Sequence, residues 1–216
     1  MNIRKKSKIL FQGDSITDGN RTRDNDPNHF LGHGYAYIVS AKLGVDEPEK
    51  EYEFLNRGIS GNRIVDLYGR WQEDTLNIKP DILSILVGVN DIAWEVNVGA
   101  GIPANKYGKV YKLLIEETRE VNPECIIVIM EPFILPVGGV KEKYDYWNDE
   151  ISKRQVIARA IAEENNCIFV PLQQQFNDAC KKVAPEHWIW DGVHPTAAGH
   201  ELIARQWMKV VDEALK

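Results

Sequence analysis

The stretch KILFQGDSITDGN, residues 8–20, joins a short apolar run to a cluster of Gly, Asp and Ser. Ile9, Leu10 and Phe11 read as a buried strand that ends abruptly at Gly13-Asp14-Ser15. A serine between two acidic residues at a strand end is either a turn residue or a reactive group. Asp suits helix starts, and Asp18 is given a cap role here, while Asp14 is expected to tie down the loop without chemistry of its own.

Four further runs share the character of the first: YEFLNRG (52–58), DILSILVG (81–88), CIIVIMEPF (125–133) and CIFVPL (167–172). Each is short and nearly continuous in apolar residues, as in strands covered on both faces. Helical spacing separates them. It is present over 34–44, over 63–78 (Ile64, Leu67, Tyr68, Trp71), and over 106–120 (Val110, Leu113, Leu114, Glu117). It returns over 147–165 and 197–215, the last with Leu202, Ile203, Trp207 and Val210 or Val211. Strand alternating with helix predicts a parallel sheet with helices on both faces, an α/β fold in three layers, α/β/α. No linker or repeat divides the chain, so residues 1–216 are expected to form one domain. The Gly-rich stretch from Ala93 to Lys106 and the stretch 132–147 are expected to be loops.

Composition narrows the function classes. The 216 residues carry 26 basic and 32 acidic side chains, a net charge of −6, which argues against a general nucleic-acid binder. The basic start MNIRKKSKILF is followed by too short an apolar run for a signal peptide, and no run approaches the ~20 residues of a membrane span. Cys125, Cys167 and Cys180 are widely spaced and read as reduced thiols, which places the protein in the cytoplasm.

Polar residues collect where strands end. Ser15 follows the first strand, Gly58 and Gly61 in NRGISGNR the second, and Asn90 and Asp91 in GVND the third. After the fifth strand and a helix comes WIWDGVHP, with Asp191 and His194. A nucleophilic serine needs a base, and the base needs an orienting group. Asp191 and His194, three apart in a Gly-containing loop, suit those two roles, leaving the imidazole Nε2 to face Ser15. The charge developing on an attacked carbonyl needs donors, for which the N–H groups of Ser15 and Gly61 and the Asn90 amide are suitable. A missing side chain at Gly61 would let substrate approach the backbone. Asp91 is expected to brace its loop.

These four segments resemble the four blocks of the SGNH hydrolases, or GDSL lipase/esterase family. Ser15 in GDSI, Gly61, Asn90 in GVND and Asp191-x-x-His194 in DGVHP match in the family's order, with Ile16 in place of the usual Leu. The resemblance spans residues 13 to 195 and implies a five-stranded parallel sheet of flavodoxin-like order. It also implies the catalytic set Ser15, Asp191 and His194 and an oxyanion hole of Ser15, Gly61 and Asn90. GDSITDG, NRGISGNR and WDGVHPTAAGH look closest to the small intracellular carbohydrate acetyl esterases.

The expected activity is therefore that of a serine esterase removing acetyl groups from sugars such as xylose or xylo-oligosaccharides, with no cofactor. Alternatives are a lysophospholipase, a thioesterase or a general short-chain esterase, and outside enzymes a sugar-binding module on a decayed hydrolase fold. Asp14, Asp91, Asp191 and His194 lack the ligand spacing of a metal motif, so no metal is expected. Neither phosphate-binding glycine motif follows the first strand. Aromatic residues crowd the site segments: Trp94, Tyr144, Tyr146, Trp147, Trp188 and Trp190. Flat faces suit pyranose rings, and Trp190, Trp94 and Trp188 are taken as substrate-binding candidates. Trp71 and Trp207 are assigned to the interior. His29, His33, His187 and His200 lack a comparable acid partner; His200 is read as structural and His33 as a solvated loop residue. The expected partner is a small acetylated carbohydrate or other short-chain ester, without nucleic acid or membrane, and the oligomeric state stays open.

Overall fold

A computed structural model of the protein describes residues 1–24 and 26–216. Five strands form one sheet: β1 (Lys8–Gly13), β2 (Glu53–Asn56), β3 (Ile82–Leu86), β4 (Ile126–Met130) and β5 (Ile168–Val170). They lie in the order β2-β1-β3-β4-β5, and every pairing is parallel. This is the flavodoxin-like order, in which connections run outward to both sides from the boundary between β1 and β3.

Side-chain alternation assigns the strands to two cores. Ile9 and Phe11 point into one and Leu10 into the other; Val128 and Met130 oppose Ile127 and Ile129 in the same way. The first core is closed by α2 (Tyr35–Asp46), α8 (Gln173–Cys180) and α9 (Ala197–Ala214) through Val39, Leu43, Phe176, Ile203 and Trp207. The second is closed by α3 (Ile64–Gly69), α5 (Ala104–Val121) and α7 (Tyr144–Glu164) through Leu67, Tyr111, Leu114, Ala158 and Ile161. Burying each large apolar side chain contributes about 1.5–3 kcal/mol, so the two faces supply the main drive to fold. Trp71 and Trp207 are buried, as their helical spacing implies, and each indole N–H has a partner: Thr118 Oγ1 at 3.2 Å and Ser84 Oγ at 2.7 Å.

Two expected loops are largely helical. The segment from Ala93 to Lys106 contains most of α4 (Asn90–Val98), which ends at left-handed Gly99, and the start of α5, leaving only 99–103 between them. Within 132–147 lie α6 (Gly138–Lys141) and the first turn of α7, so Tyr144, Tyr146 and Trp147 are helical. The helical pattern over 63–78 is broken after α3 and resumes as a wider π-type turn over Gln72–Leu76. Among the described residues, no helix is long and apolar enough to cross a membrane.

Candidate active site

The first strand ends at Gly13, where an added Cβ would lie 2.3 Å from the Leu86 carbonyl oxygen. Only glycine lets β1 pass β3 this closely. The chain then turns into α1 (Ser15–Asp18), whose cap is Asp14: its Oδ1 accepts the Ile16 N–H at 3.0 Å. Asp14 is buried, its second oxygen has no partner among the described residues, and burial pushes its carboxyl up to about 7. The cap expected of Asp18 thus belongs to Asp14. Asp18 closes α1 and instead accepts Ser60 N–H at 3.0 Å and an Arg23 N–H at 2.7 Å, binding the first loop to the second.

Ser15 opens α1, with Oγ 2.8 Å from His194 Nε2. His194 Nδ1 donates to Asp191 Oδ2 at 2.6 Å, which leaves Nε2 as acceptor for the serine hydroxyl. The other carboxylate oxygen of Asp191 accepts the N–H groups of Val193 at 2.9 Å and His194 at 2.7 Å. Burial pushes the Asp191 carboxyl up, but the ring hydrogen bond and these two N–H groups override it and hold it below the usual range. The Asp191 hydrogen bond in turn raises the His194 imidazole above its usual value, against the opposing effect of burial.

The stretch after β4 holds this acid–histidine loop. Leu135 N–H donates to Gly192 O at 3.0 Å and Gly139 N–H to Asp191 O at 3.1 Å. The 132–147 segment therefore supports the loop from behind.

The second and third segments meet through Asn62 and Asn90, and Ser60 of the second shares the cavity with Ser15. Ile59 O accepts the Asn62 N–H at 3.2 Å, closing a four-residue turn whose third residue is Gly61, at φ +83°. Such a turn calls for glycine at that position. An added Cβ at Gly61 would meet nothing within 4 Å, so the demand for glycine is set by conformation, and the space in front of it is open. Asn90 Nδ2 donates to Asn62 O at 3.2 Å, and Trp94 Nε1 to Gly61 O at 3.1 Å. Asp91 braces the same region as expected: its buried carboxylate accepts the Ile64 N–H, and burial pushes it up to about 7.

A cavity of about 310 Å³ opens over Ser15, lined among others by Ile16, His33, Ser60, Trp190, His194 and His200. Trp190 is 63% exposed, and its ring lies nearly parallel to that of His194 with centroids 6.0 Å apart. The other two tryptophans considered for substrate lie elsewhere. Trp94 borders a separate hollow with Asn90, and Trp188 packs against the core with its indole N–H unpaired among the described residues. Tyr146 lines a different cavity with Asp91 and Arg154, and Trp147 is buried.

Two histidines set aside in the sequence face the Ser15 cavity. His200 has the structural partner inferred for it, accepting the Tyr35 N–H at Nδ1 at 3.2 Å, and it also forms part of the wall. Burial lowers its imidazole to about 4, keeping it neutral. His33 is exposed, as the solvated-loop reading expects, and also borders the cavity with its ring edge-on to His200. No sequence spacing announces either one, because the contact joins the loop before α2 to the first turn of α9. Among the described residues, no group of three or more His, Cys, Asp or Glu side chains is arranged to hold a metal ion.

A serine, a histidine and an aspartate in a hydrogen-bonded chain can perform acyl transfer. Residues 11–202 match the GDSL-like lipase/acylhydrolase family. The chain belongs to this family. As a GDSL-family member it is a carboxylic ester hydrolase. It is 34% identical to an acetylxylan esterase of Geobacillus stearothermophilus, over 98% of this chain and 96% of that one. The crystal structure of that esterase superposes with a TM-score of 0.88, covering 98% of this chain and 96% of that one. A structure from Parabacteroides merdae described as a GDSL-like lipase gives a TM-score of 0.94 at 37% identity, covering 99% and 98% of the two chains. The Geobacillus esterase also has solved variants described as catalytic mutants, in which a serine, an aspartate or a histidine is changed to alanine.

Proposed function

We propose that this GDSL-family hydrolase is a serine esterase that removes acetyl groups from sugars, with xylose or xylo-oligosaccharides as the carrier. The observation that carries the reading is the Ser15–His194–Asp191 chain at 2.8 and 2.6 Å, opening into a cavity beside an exposed tryptophan. The family relative at 34% identity, an acetylxylan esterase, supports the choice of substrate.

Ser15 Oγ attacks the ester carbonyl carbon while its proton passes to His194 Nε2. Asp191 holds the imidazole in the required tautomer and stabilises its cationic form. The carbonyl oxygen becomes an oxyanion, received by the N–H groups of Ser15 and Gly61 and the amide of Asn90. Collapse of the tetrahedral adduct breaks the bond to the sugar oxygen, which takes the proton from His194. Water then attacks the acetyl-Ser15 ester, giving its proton to His194 Nε2. Acetic acid leaves as Ser15 Oγ recovers that proton, then loses its own proton to solvent as acetate, and no cofactor takes part.

Trp190 offers an apolar face to a pyranose ring beside the nucleophile, and the small cavity suits a short acyl group. In this reading residues 1–216 act as one domain, and the three free cysteines fit a reducing compartment such as the cytoplasm. A panel of acetylated xylo-, cello- and manno-oligosaccharides against acetyl, butyryl and octanoyl p-nitrophenyl esters tests it. Acetylated xylo-oligosaccharides should rank first; preference for octanoyl esters would make the protein a lipase-like member instead.

A further inference from the structure

The face of α4 that carries Asn90 carries Trp94 one turn later, and both grip the Gly61 turn. Asn90 Nδ2 donates to Asn62 O and Trp94 Nε1 to Gly61 O, at 3.2 and 3.1 Å. The Trp94 ring is itself held: the Arg63 guanidinium lies over it, 4.9 Å from the ring centroid. Arg63 is fixed by two hydrogen bonds to Asp66, at 2.9 and 3.1 Å, and by a third to Ala100 O at 2.7 Å. A row Asp66–Arg63–Trp94 therefore ends on the carbonyl of Gly61.

We propose that Trp94 is a positioning residue for the oxyanion hole. This rests on the reading that Gly61 N–H receives the oxyanion. The peptide joining Gly61 to Asn62 is clamped at both ends, its N–H on Ile59 O and its C=O on Trp94. On the other side, Ser60 N–H is held by Asp18 Oδ2 at 3.0 Å. The peptide between Ser60 and Gly61, which bears the catalytic N–H, sits between these two anchors. A four-residue turn has two forms that differ by rotating this middle peptide through about 180°, and only one has positive φ at the third residue. Gly61 at φ +83° is in that form; the other turns the N–H to the opposite side. Trp94 and Asp18 fix the frame in which the turn keeps the productive form. A donor aimed before the reaction begins contributes to transition-state stabilisation without reorganisation.

Trp94→Phe tests this, since it keeps a ring for Arg63 and deletes only the N–H donor. Expected is a roughly tenfold fall in kcat, equal for p-nitrophenyl acetate and acetylated xylo-oligosaccharide, with KM within about twofold of wild type. Inhibition by phenylboronic acid, whose serine adduct places a charged oxygen in the hole, should weaken by the same factor. Xylotriose binding should be unchanged. A raised KM for the oligosaccharide with kcat intact and p-nitrophenyl acetate unaffected overturns the proposal and makes Trp94 a sugar platform. If Trp94→Phe lowers the melting temperature enough to obscure rates, Arg63→Met serves: it keeps the indole N–H but releases the ring, and should lower kcat by a smaller factor without raising KM. Unchanged kcat there also overturns the proposal. Ser15→Ala is assayed alongside. Activity surviving in it condemns the serine reading, whereas an inactive Ser15→Ala beside a fully active Trp94→Phe condemns only the role of Trp94.

Discussion

His194 and Asp191, three residues apart in one loop, meet at 2.6 Å between Nδ1 and Oδ2, and the carboxylate's other oxygen accepts the His194 backbone N–H. One carboxylate thus fixes both the ring and the backbone that carries it. The bond favours the protonated ring and raises its pKa above the ordinary 6.5. His194 must be neutral to take the serine proton, so kcat/KM should rise with pH through one ionisation lying above 6.5. Asp191→Asn should move that inflection down and lower kcat by up to ~10⁴, because the tautomer is no longer enforced. A pH–rate profile of both proteins measures this; an inflection unmoved by the substitution would detach Asp191 from the base.

Asn90 donates one amide proton to the Asn62 carbonyl at 3.2 Å, and in the proposed mechanism the second goes to the oxyanion. Since that charge exists only in the transition state, Asn90→Ala should cut kcat by ~10²–10³ with little change in KM. Steady-state kinetics on p-nitrophenyl acetate decide it. A raised KM with kcat intact would assign the amide to substrate binding.

His200 stays neutral in the fold down to about pH 4, because burial lowers it from 6.5. Unfolded, it takes its proton near 6.5, so between these values the unfolded chain binds more protons and stability falls as pH is lowered. Asp14 and Asp91, pushed up to about 7 by burial, act with the opposite sign over a similar window. The difference between wild type and His200→Gln isolates the histidine. Thermal melts at pH 7 and pH 5 should show wild type losing more stability than the variant on acidification. Equal losses would mean that the ring takes up its proton in the fold.

Trp190 is exposed and nearly parallel to the His194 ring, and in the proposed reading its face receives the sugar. Trp190→Ala should raise KM for acetylated xylo-oligosaccharides about tenfold or more, the loss of one aromatic stack and its buried area, and change p-nitrophenyl acetate little. Equal effects on the two substrates would place the indole in support of His194.

The strands and the Asp191–His194 pair were legible because each depends on near neighbours, whereas the sheet order and the approach of Ser15 to His194 across 179 positions followed from the family resemblance. Apolar runs announce buried strands, and Asp191-x-x-His194 reaches across one turn. The aromatic assignments were less legible: Trp94 and Trp188 also lie within four residues of Asn90 and Asp191, but side-chain direction on a helix or a core edge decides what each touches. Trp94 lies one turn along α4, on the face gripping the Gly61 turn, and Trp188 faces inward. The glycines that follow 93–98 suggest a loop there, although Gly99 only caps the end of a helix. That His33 and His200 stand together at the cavity was not legible, because the fold joins them across 167 positions and no local pattern records such a contact.

Release of acetate from acetylated xylo-oligosaccharides by Ser15→Ala, compared with wild type at equal concentration and with folding checked by circular dichroism, is the most direct test. Expected are a fall in kcat of at least ~10³ and, by peptide mass spectrometry, a single sulfonyl fluoride adduct on Ser15 in the wild type that the variant lacks. Activity within tenfold of wild type, or an adduct on a different serine, would contradict acetyl transfer through Ser15.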